Sequence, residues 1–189
     1  MIKMAKQLTL TKDSPKILDA TCSYFHLWPR HATIRMDIRP ECKPDIVGDI
    51  RKTDFLDNYF DEIYLDPPHM IRTDNGFMFP NDRMAVKRRL SGRTTPHSFD
   101  RYGVFKSIDE WYEFLDAINI EVFRIIKPGG ILHFKVTSGK DKRVTKRNDL
   151  KRLTNFKVIK EKITKSKYPK SDNKVHWITY QSKHWKEND

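Results

Sequence analysis

Cysteine is nearly absent from this chain. Cys22 and Cys42 are its only two in 189 residues, too few for a disulfide framework and without the CxxC spacing of a zinc pair. Both read as reduced, half-buried side chains. No stretch approaches the roughly 18 consecutive apolar residues of a membrane span. Residues 1–6 lack the apolar segment of a secretory signal, so a cytoplasmic location is expected. Internal repeats and low-complexity segments are also missing. His26, His31, His97, His133, His176 and His184 show no metal-ligand spacing, and no metal is expected. Acid is short as well: 25 Asp and Glu face 37 Lys and Arg, a formal net charge of +12. A field of that sign attracts polyanions without naming which. The length suits one domain spanning residues 1–189.

What is present begins with short apolar runs that close on aspartate. Lys16-Ile17-Leu18-Asp19-Ala20, Thr33-Ile34-Arg35-Met36-Asp37, Asp45-Ile46-Val47-Gly48-Asp49 and Glu62-Ile63-Tyr64-Leu65-Asp66 each read as a buried strand. Ligands of open α/β sheets sit beyond the carboxyl ends of the strands. Four strands ending in Asp therefore suggest one polar rim facing a ligand, although Asp is also a common turn residue. Ser107-Ile108-Asp109-Glu110 fits a capping box. Ile108, Trp111, Leu115, Ile118, Val122 and Ile125 follow as one helical stripe. Lys127-Pro128-Gly129-Gly130 is expected to stop that helix, and Ile131-Leu132-His133-Phe134-Lys135-Val136 to form the next strand. Two alternating segments, from Phe156 to Thr164 and from Val175 to Tyr180, read as an antiparallel hairpin separated by a turn.

The most informative tetrapeptide is Asp66-Pro67-Pro68-His69, directly after the fourth apolar strand. Here the sequence resembles the class I S-adenosylmethionine (SAM)-dependent methyltransferases, in particular the amino-methylating group with a D/N-P-P-aromatic motif. The resemblance runs from about Lys16 to Tyr180. It rests on the order of Asp19, Asp37, Asp49, DPPH and KPGG along successive strands. It implies an α/β, Rossmann-like methyltransferase fold: a mostly parallel sheet, a C-terminal antiparallel hairpin, and reduced helices between the first strands, whose linkers are short. It also implies SAM as cofactor. Asp37, with Ile38, falls at the ribose; Asp49 and Ile50 at the adenine; Asp19, Ala20, Thr21 and Cys22 near the methionine end, with Asp66 also facing the cofactor.

The chemistry explains the catalytic tetrad. An exocyclic amine of a base has its lone pair delocalised into the ring. A carboxylate from Asp66 and the Pro67 carbonyl, both accepting its hydrogens, favour a pyramidal nitrogen able to attack a methyl carbon. Pro67 and Pro68 stiffen the backbone. His69 stands where the family has an aromatic residue, and either stacks on the base or acts as a hydrogen-bonding or proton-accepting group. A second departure is the first-strand loop, Ala20-Thr21-Cys22-Ser23, which has no glycine.

Residues 70–106 form an unusually long connection rich in cations and aromatics. Arg72, Arg83, Lys87, Arg88, Arg89, Arg93 and Arg101 interleave with Phe77, Phe79, Phe99 and Tyr102. Such a mixture suits phosphates plus unstacked bases, so this segment is the candidate substrate clamp; a solvated loop anchored by its aromatics is the plainer alternative. A second basic zone, Lys140, Lys142, Arg143, Lys146, Arg147, Lys151 and Arg152, reads as a solvated face or an extension of that track. The expected function is methylation of an exocyclic amine of a nucleic-acid base, adenine favoured, in DNA or RNA. The alternatives are a protein-amide or small-molecule methyltransferase, and a catalytically degenerate nucleic-acid-binding module on the same fold.

Overall fold

The computed structural model describes residues 14–23, 31–71, 105–139, 145–165 and 173–183. They form a seven-stranded sheet: β1 (Ile17–Asp19), β2 (Ile34–Asp37), β3 (Ile46–Val47), β4 (Phe60–Leu65), β5 (Ile126–Ser138), β6 (Phe156–Lys165) and β7 (Lys174–Ser182). The spatial order is β3-β2-β1-β4-β5-β7-β6. β1 to β5 pair in parallel, and β7 runs antiparallel between β5 and β6. The α/β class, the mostly parallel sheet and the closing antiparallel hairpin agree with the expectation. Within the connection from β2 to β3 the chain makes only a 3-10 turn, Pro40–Cys42.

Among the described residues between β4 and β5 there is one α-helix, α1 (Ile108–Ile125), which leads into β5. Its start is set by Ser107, whose hydroxyl accepts the Glu110 N–H at 3.1 Å. The reciprocal half of the capping box differs from the sequence expectation. The Glu110 carboxylate takes the N–H of Lys106, one residue before the cap. The stripe of Trp111, Leu115, Ile118, Val122 and Ile125 is fully buried, as are Leu18, Ile63, Leu65, Leu132, Phe134 and Val136 of the sheet, all in one core cluster. Strand alternation puts those sheet residues on one face, which is the face α1 covers. Ile108, by contrast, stays exposed. Further along the same layer, Arg147 to Arg152 form a second 3-10 helix, tied to α1 by the Trp111 indole N–H donating to Asp149 at 2.9 Å.

Lys127-Pro128-Gly129-Gly130 does more than stop the helix. β5 already starts at Ile126, so these residues lie within the strand. The register against β4 jumps there, from Phe60↔Ile126 to Glu62↔Ile131, which makes the motif a bulge. Gly129 has φ +73°, the left-handed region that favours glycine. A Cβ on Gly130 would stand 2.9 Å from the Lys127 carbonyl and 3.1 Å from the Asp61 carbonyl. The glycines thus let β5 bulge while staying against β4.

Two substitutions separate core from cap. Phe134→Ala should lower the unfolding free energy by about 3–5 kcal/mol through cavity formation. Ser107→Ala should lower it by about 1 kcal/mol through loss of the cap. Urea titration reads both; equal values would contradict the packing of α1 on β5.

Candidate functional site

Because β1 to β4 run in parallel, their carboxyl ends share one edge of the sheet. Asp19 and Asp37 end β1 and β2, Asp49 follows β3 by two residues, and Asp66 follows β4 directly. A cavity of about 240 Å³ opens at that edge. Asp37, Asp49 and Asp66 line it, with Ala20, Thr21 and Ser23 of the first loop. Ile38 and Ile50 supply apolar walls, and Pro67 and Pro68 close the side nearest β4. Phe105, Glu110 and Phe114 complete it from the start of α1. Cys22, Asp19 and His69 are not among the lining residues. Cys22 is buried, and burial pushes its thiol up to about 12, which leaves it inert. Cys42 is also buried rather than half-buried.

Two arginines that the sequence reading passed over sit in this cavity. The Arg39 guanidinium donates to both oxygens of Asp37, at 3.0 and 3.1 Å. Arg51 does the same to Asp49, with its closest contact at 2.6 Å. Each aspartate also accepts the backbone N–H of the same arginine, at 3.0 and 2.9 Å. The two turns are alike because the tripeptide is alike: Asp37-Ile38-Arg39 and Asp49-Ile50-Arg51. That repeated Asp-Ile-Arg was the available signal. Burial raises both carboxyl pKa values, but the hydrogen bonds to arginine outweigh it and the net shift is downward. Asp37 gains a further donor, the Ser23 N–H at 2.9 Å. Ser23 has φ 55°. The loop therefore makes, with serine, the left-handed turn for which glycine is the usual residue.

Asp66 is the most crowded of the carboxylates. Lys135 Nζ lies 2.5 Å from its Oδ2, and His69 Nε2 lies 3.0 Å from its Oδ1. The histidine contact falls outside hydrogen-bond geometry, so its attraction is electrostatic at most. Burial raises the Asp66 pKa, while His69 and Lys135 together bring it below the ordinary carboxylate value. The Asp66 N–H donates to Thr21 Oγ1 at 2.7 Å, which ties the motif to the first loop. Lys135 was not singled out from sequence. It follows Phe134, the β5 partner of Leu65, and parallel pairing brings it beside Asp66. Its ammonium also sits 5.2 Å from the centroid of the Trp177 ring. His69 is folded back on its own aspartate, and its carbonyl accepts the Thr145 N–H at 3.1 Å.

Arg72, Phe77, Phe79, Arg83, Lys87, Arg88, Arg89, Arg93, Phe99, Arg101 and Tyr102 of the candidate clamp lie outside the described residues, as do Lys140, Lys142 and Arg143. Of the described part of the second basic zone, Arg147, Arg152 and Lys146 are engaged internally, while Lys151 is exposed. Arg147 is bidentate on Glu161 at 3.0 and 3.1 Å. Arg152 pairs with Asp116 at 2.7 Å and stacks 4.4 Å from the Tyr112 centroid. Lys146 Nζ donates to the Gly139 carbonyl at 2.5 Å. Arg147 holds the helical layer to β6 and Arg152 holds the second 3-10 helix to α1, so both are poorly placed to extend a phosphate track. Glu161 also meets His176 Nδ1 at 2.6 Å, and His176 Nε2 meets Ser138 Oγ at 2.6 Å; this chain of polar groups, centred on the buried His176, joins β6, β7 and β5.

The sequence matches no protein-family model and no curated protein. The structure does have relatives. A SAM-dependent methyltransferase from Methanosarcina mazei aligns over 90% of this chain and 93% of its own, at 12% identity and TM-score 0.53. The fold is that of the class I SAM-dependent methyltransferases. Geranyl diphosphate C-methyltransferase from Streptomyces coelicolor, in complex with Mg2+, geranyl diphosphate and S-adenosylhomocysteine, aligns over 89% of this chain and 72% of its own, at 9% identity and TM-score 0.51. The 1,6-didemethyltoxoflavin-N1-methyltransferase of Burkholderia thailandensis, with bound 1,6-didemethyltoxoflavin and S-adenosylhomocysteine, aligns over 90% and 72%, at 12% identity and TM-score 0.50. At these identities the likeness establishes the fold; reaction and substrate rest on this chain's own residues.

Asp19 has a measurable signature. It is 1% exposed, and its Oδ2 has no hydrogen-bond partner among the described residues. Burial pushes its carboxyl up to about 7, against the opposing pull of the Thr21 N–H and Arg35. In the window from about pH 4 to about 7 the folded chain keeps a proton that the unfolded chain has released, so stability falls as pH rises. Asp19→Asn should therefore stabilise the protein by about 2–4 kcal/mol near pH 8 and hardly at all near pH 4. Thermal melts at the two pH values decide it; the same effect at both would remove the proposed shift.

Proposed function

We propose that this chain is a SAM-dependent methyltransferase acting on an exocyclic amine of a nucleic-acid base, with adenine the favoured base. The observation that carries the proposal is the position of Asp66-Pro67-Pro68. It forms one wall of the cavity whose other walls are Asp37, Ile38, Asp49 and Ile50.

The cavity residues fit the cofactor in kind. Asp37 can accept hydrogen bonds from a ribose diol in exchange for those of Arg39, whose side chain is 21% exposed. Ile50, buried on the cavity wall, suits the face of a flat ring, and Asp49 an adenine amine. Asp19 does not line the cavity, so the methionine end falls to Ala20, Thr21 and Ser23 of the first loop. Bound SAM supplies an electrophilic methyl carbon on a sulfonium.

The remaining work belongs to the protein. With its pKa held down, Asp66 is a weak base. It serves better to accept hydrogen bonds and orient an amine than to remove a proton from it. Lys135 keeps this carboxylate ionised and pointed, and is assigned here as a positioning residue. The Pro67 carbonyl is the second acceptor for the amine. Proline offers no N–H that would compete there.

The polyanionic substrate is supported by the net charge of +12. The small-molecule reading draws support from the Burkholderia and Streptomyces enzymes, both named for small-molecule substrates. Transfer of labelled methyl groups from SAM to a mixture of DNA and RNA, with mass spectrometry of the released nucleosides, separates the two. A methylated adenine or cytosine is expected. Label in neither polymer, with SAM still bound, would move the assignment to an amide or a small molecule. Asp66→Ala should lower transfer by about 10²–10³-fold with SAM affinity nearly unchanged. Asp37→Ala should weaken SAM binding by about 1–3 kcal/mol in calorimetry; an unchanged affinity would place the cofactor elsewhere.

A further inference from the structure

The sheet face opposite α1 carries a pattern that the site above does not use. Directly paired strand residues share a face. Lys135 of β5 pairs with Trp177 of β7, and Trp177 pairs with Lys162 of β6. One row along, Thr179 pairs with Lys160, and Gln181 with Lys157. Lys157, Lys160 and Lys162 are exposed, and Trp177 is half-buried. The opposite side of β6 carries Val158, Glu161, Ile163 and, at the strand end, Lys165. On this side the described residues of β5, β7 and β6 offer four lysines and no acid.

We infer that this face is a binding track for single-stranded nucleic acid leading to Asp66. The inference rests on the nucleic-acid reading above and names the surface that would hold the substrate. Lys135 joins the two: it contacts Asp66 at 2.5 Å and lies over the Trp177 ring. Neighbouring strands are about 4.8 Å apart, so β4 to β6 spans about 14 Å, the reach of a few nucleotides. Lys157, Lys160 and Lys162 meet phosphates. Trp177 offers a ring on which a flanking base can stack, and the target base enters at Asp66. Lysines on an edge strand also discourage sheet-to-sheet association. That role does not call for three lysines in a row on one side, nor for a tryptophan beside them.

The test is binding of a fluorescein-labelled single-stranded oligonucleotide across a salt series. Lys160→Gln/Lys162→Gln removes two exposed charges without touching the core. It should weaken binding about tenfold or more near 0.1 M salt and reduce the log–log salt slope by about 1.4. Trp177→Leu should cost a further fivefold or more, with the thermal midpoint as a check on folding. Lys151→Gln/Lys165→Gln removes the same charge from outside this face and should leave the slope nearly unchanged. Equal losses in both double variants would mean a general charge effect and overturn the track. So would a wild-type chain that binds no oligonucleotide, or a Lys160→Gln/Lys162→Gln chain that binds as wild type. Methyl transfer measured on the same proteins keeps the two readings apart. Transfer with binding insensitive to this face removes the track and leaves the reaction. Binding sensitive to this face, with no transfer by the wild type, removes the reaction and leaves the track.

Discussion

Carboxylates brought together at one end of a parallel sheet repel one another, and cations placed beside them offset that repulsion. Asp37 and Asp49 are each gripped by an arginine two residues on, and Asp66 is held by Lys135 from the neighbouring strand. Asp19 has no such clamp and resolves the conflict by keeping its proton to higher pH. Each solution is local. Where a cation is within reach the carboxylate stays ionised at low pH; where burial dominates, it does not.

These pairings give the net charge a more specific meaning. Several arginines are engaged inside the structure, each against an acid, so the surplus of +12 is carried by the cations outside these pairs. Arg39 and Arg51 hold the cavity walls, Arg147 ties the helical layer to β6, Arg152 ties the second 3-10 helix to α1, and Arg124 anchors the segment before β4 through the Thr53 and Phe55 carbonyls at 3.1 and 2.7 Å. The lysines of β6 are different because both faces of that edge strand are exposed.

The backbone shows a similar economy in its turns. The first loop makes its left-handed step with Ser23, which also donates to Asp37, so one residue sets the turn and orients a cavity wall. The two adjacent glycines after α1 serve the bulge of β5 instead. There a positive φ and carbonyls within about 3 Å leave no room for a side chain.

What the sequence by itself determined is whatever depends on local pattern. The apolar stripe from Trp111 to Ile125, the Ser107 cap, the short strands ending in aspartate and the alternating hairpin follow from periodicity and turn chemistry, which act over a few residues. That Asp37, Asp49 and Asp66 would line one cavity was legible only through the expectation of a parallel sheet. The tertiary structure alone decided which cations neutralise them. Lys135 is 69 residues from Asp66, and only the parallel pairing of β4 with β5 makes them neighbours. The turn that folds Arg39 onto Asp37 is local, yet whether that arginine faces the cavity or solvent depends on β1 and β3 flanking β2. The lysine face of β6 likewise exists because β7 sits between β5 and β6, an order that strand pairing sets and chain order does not.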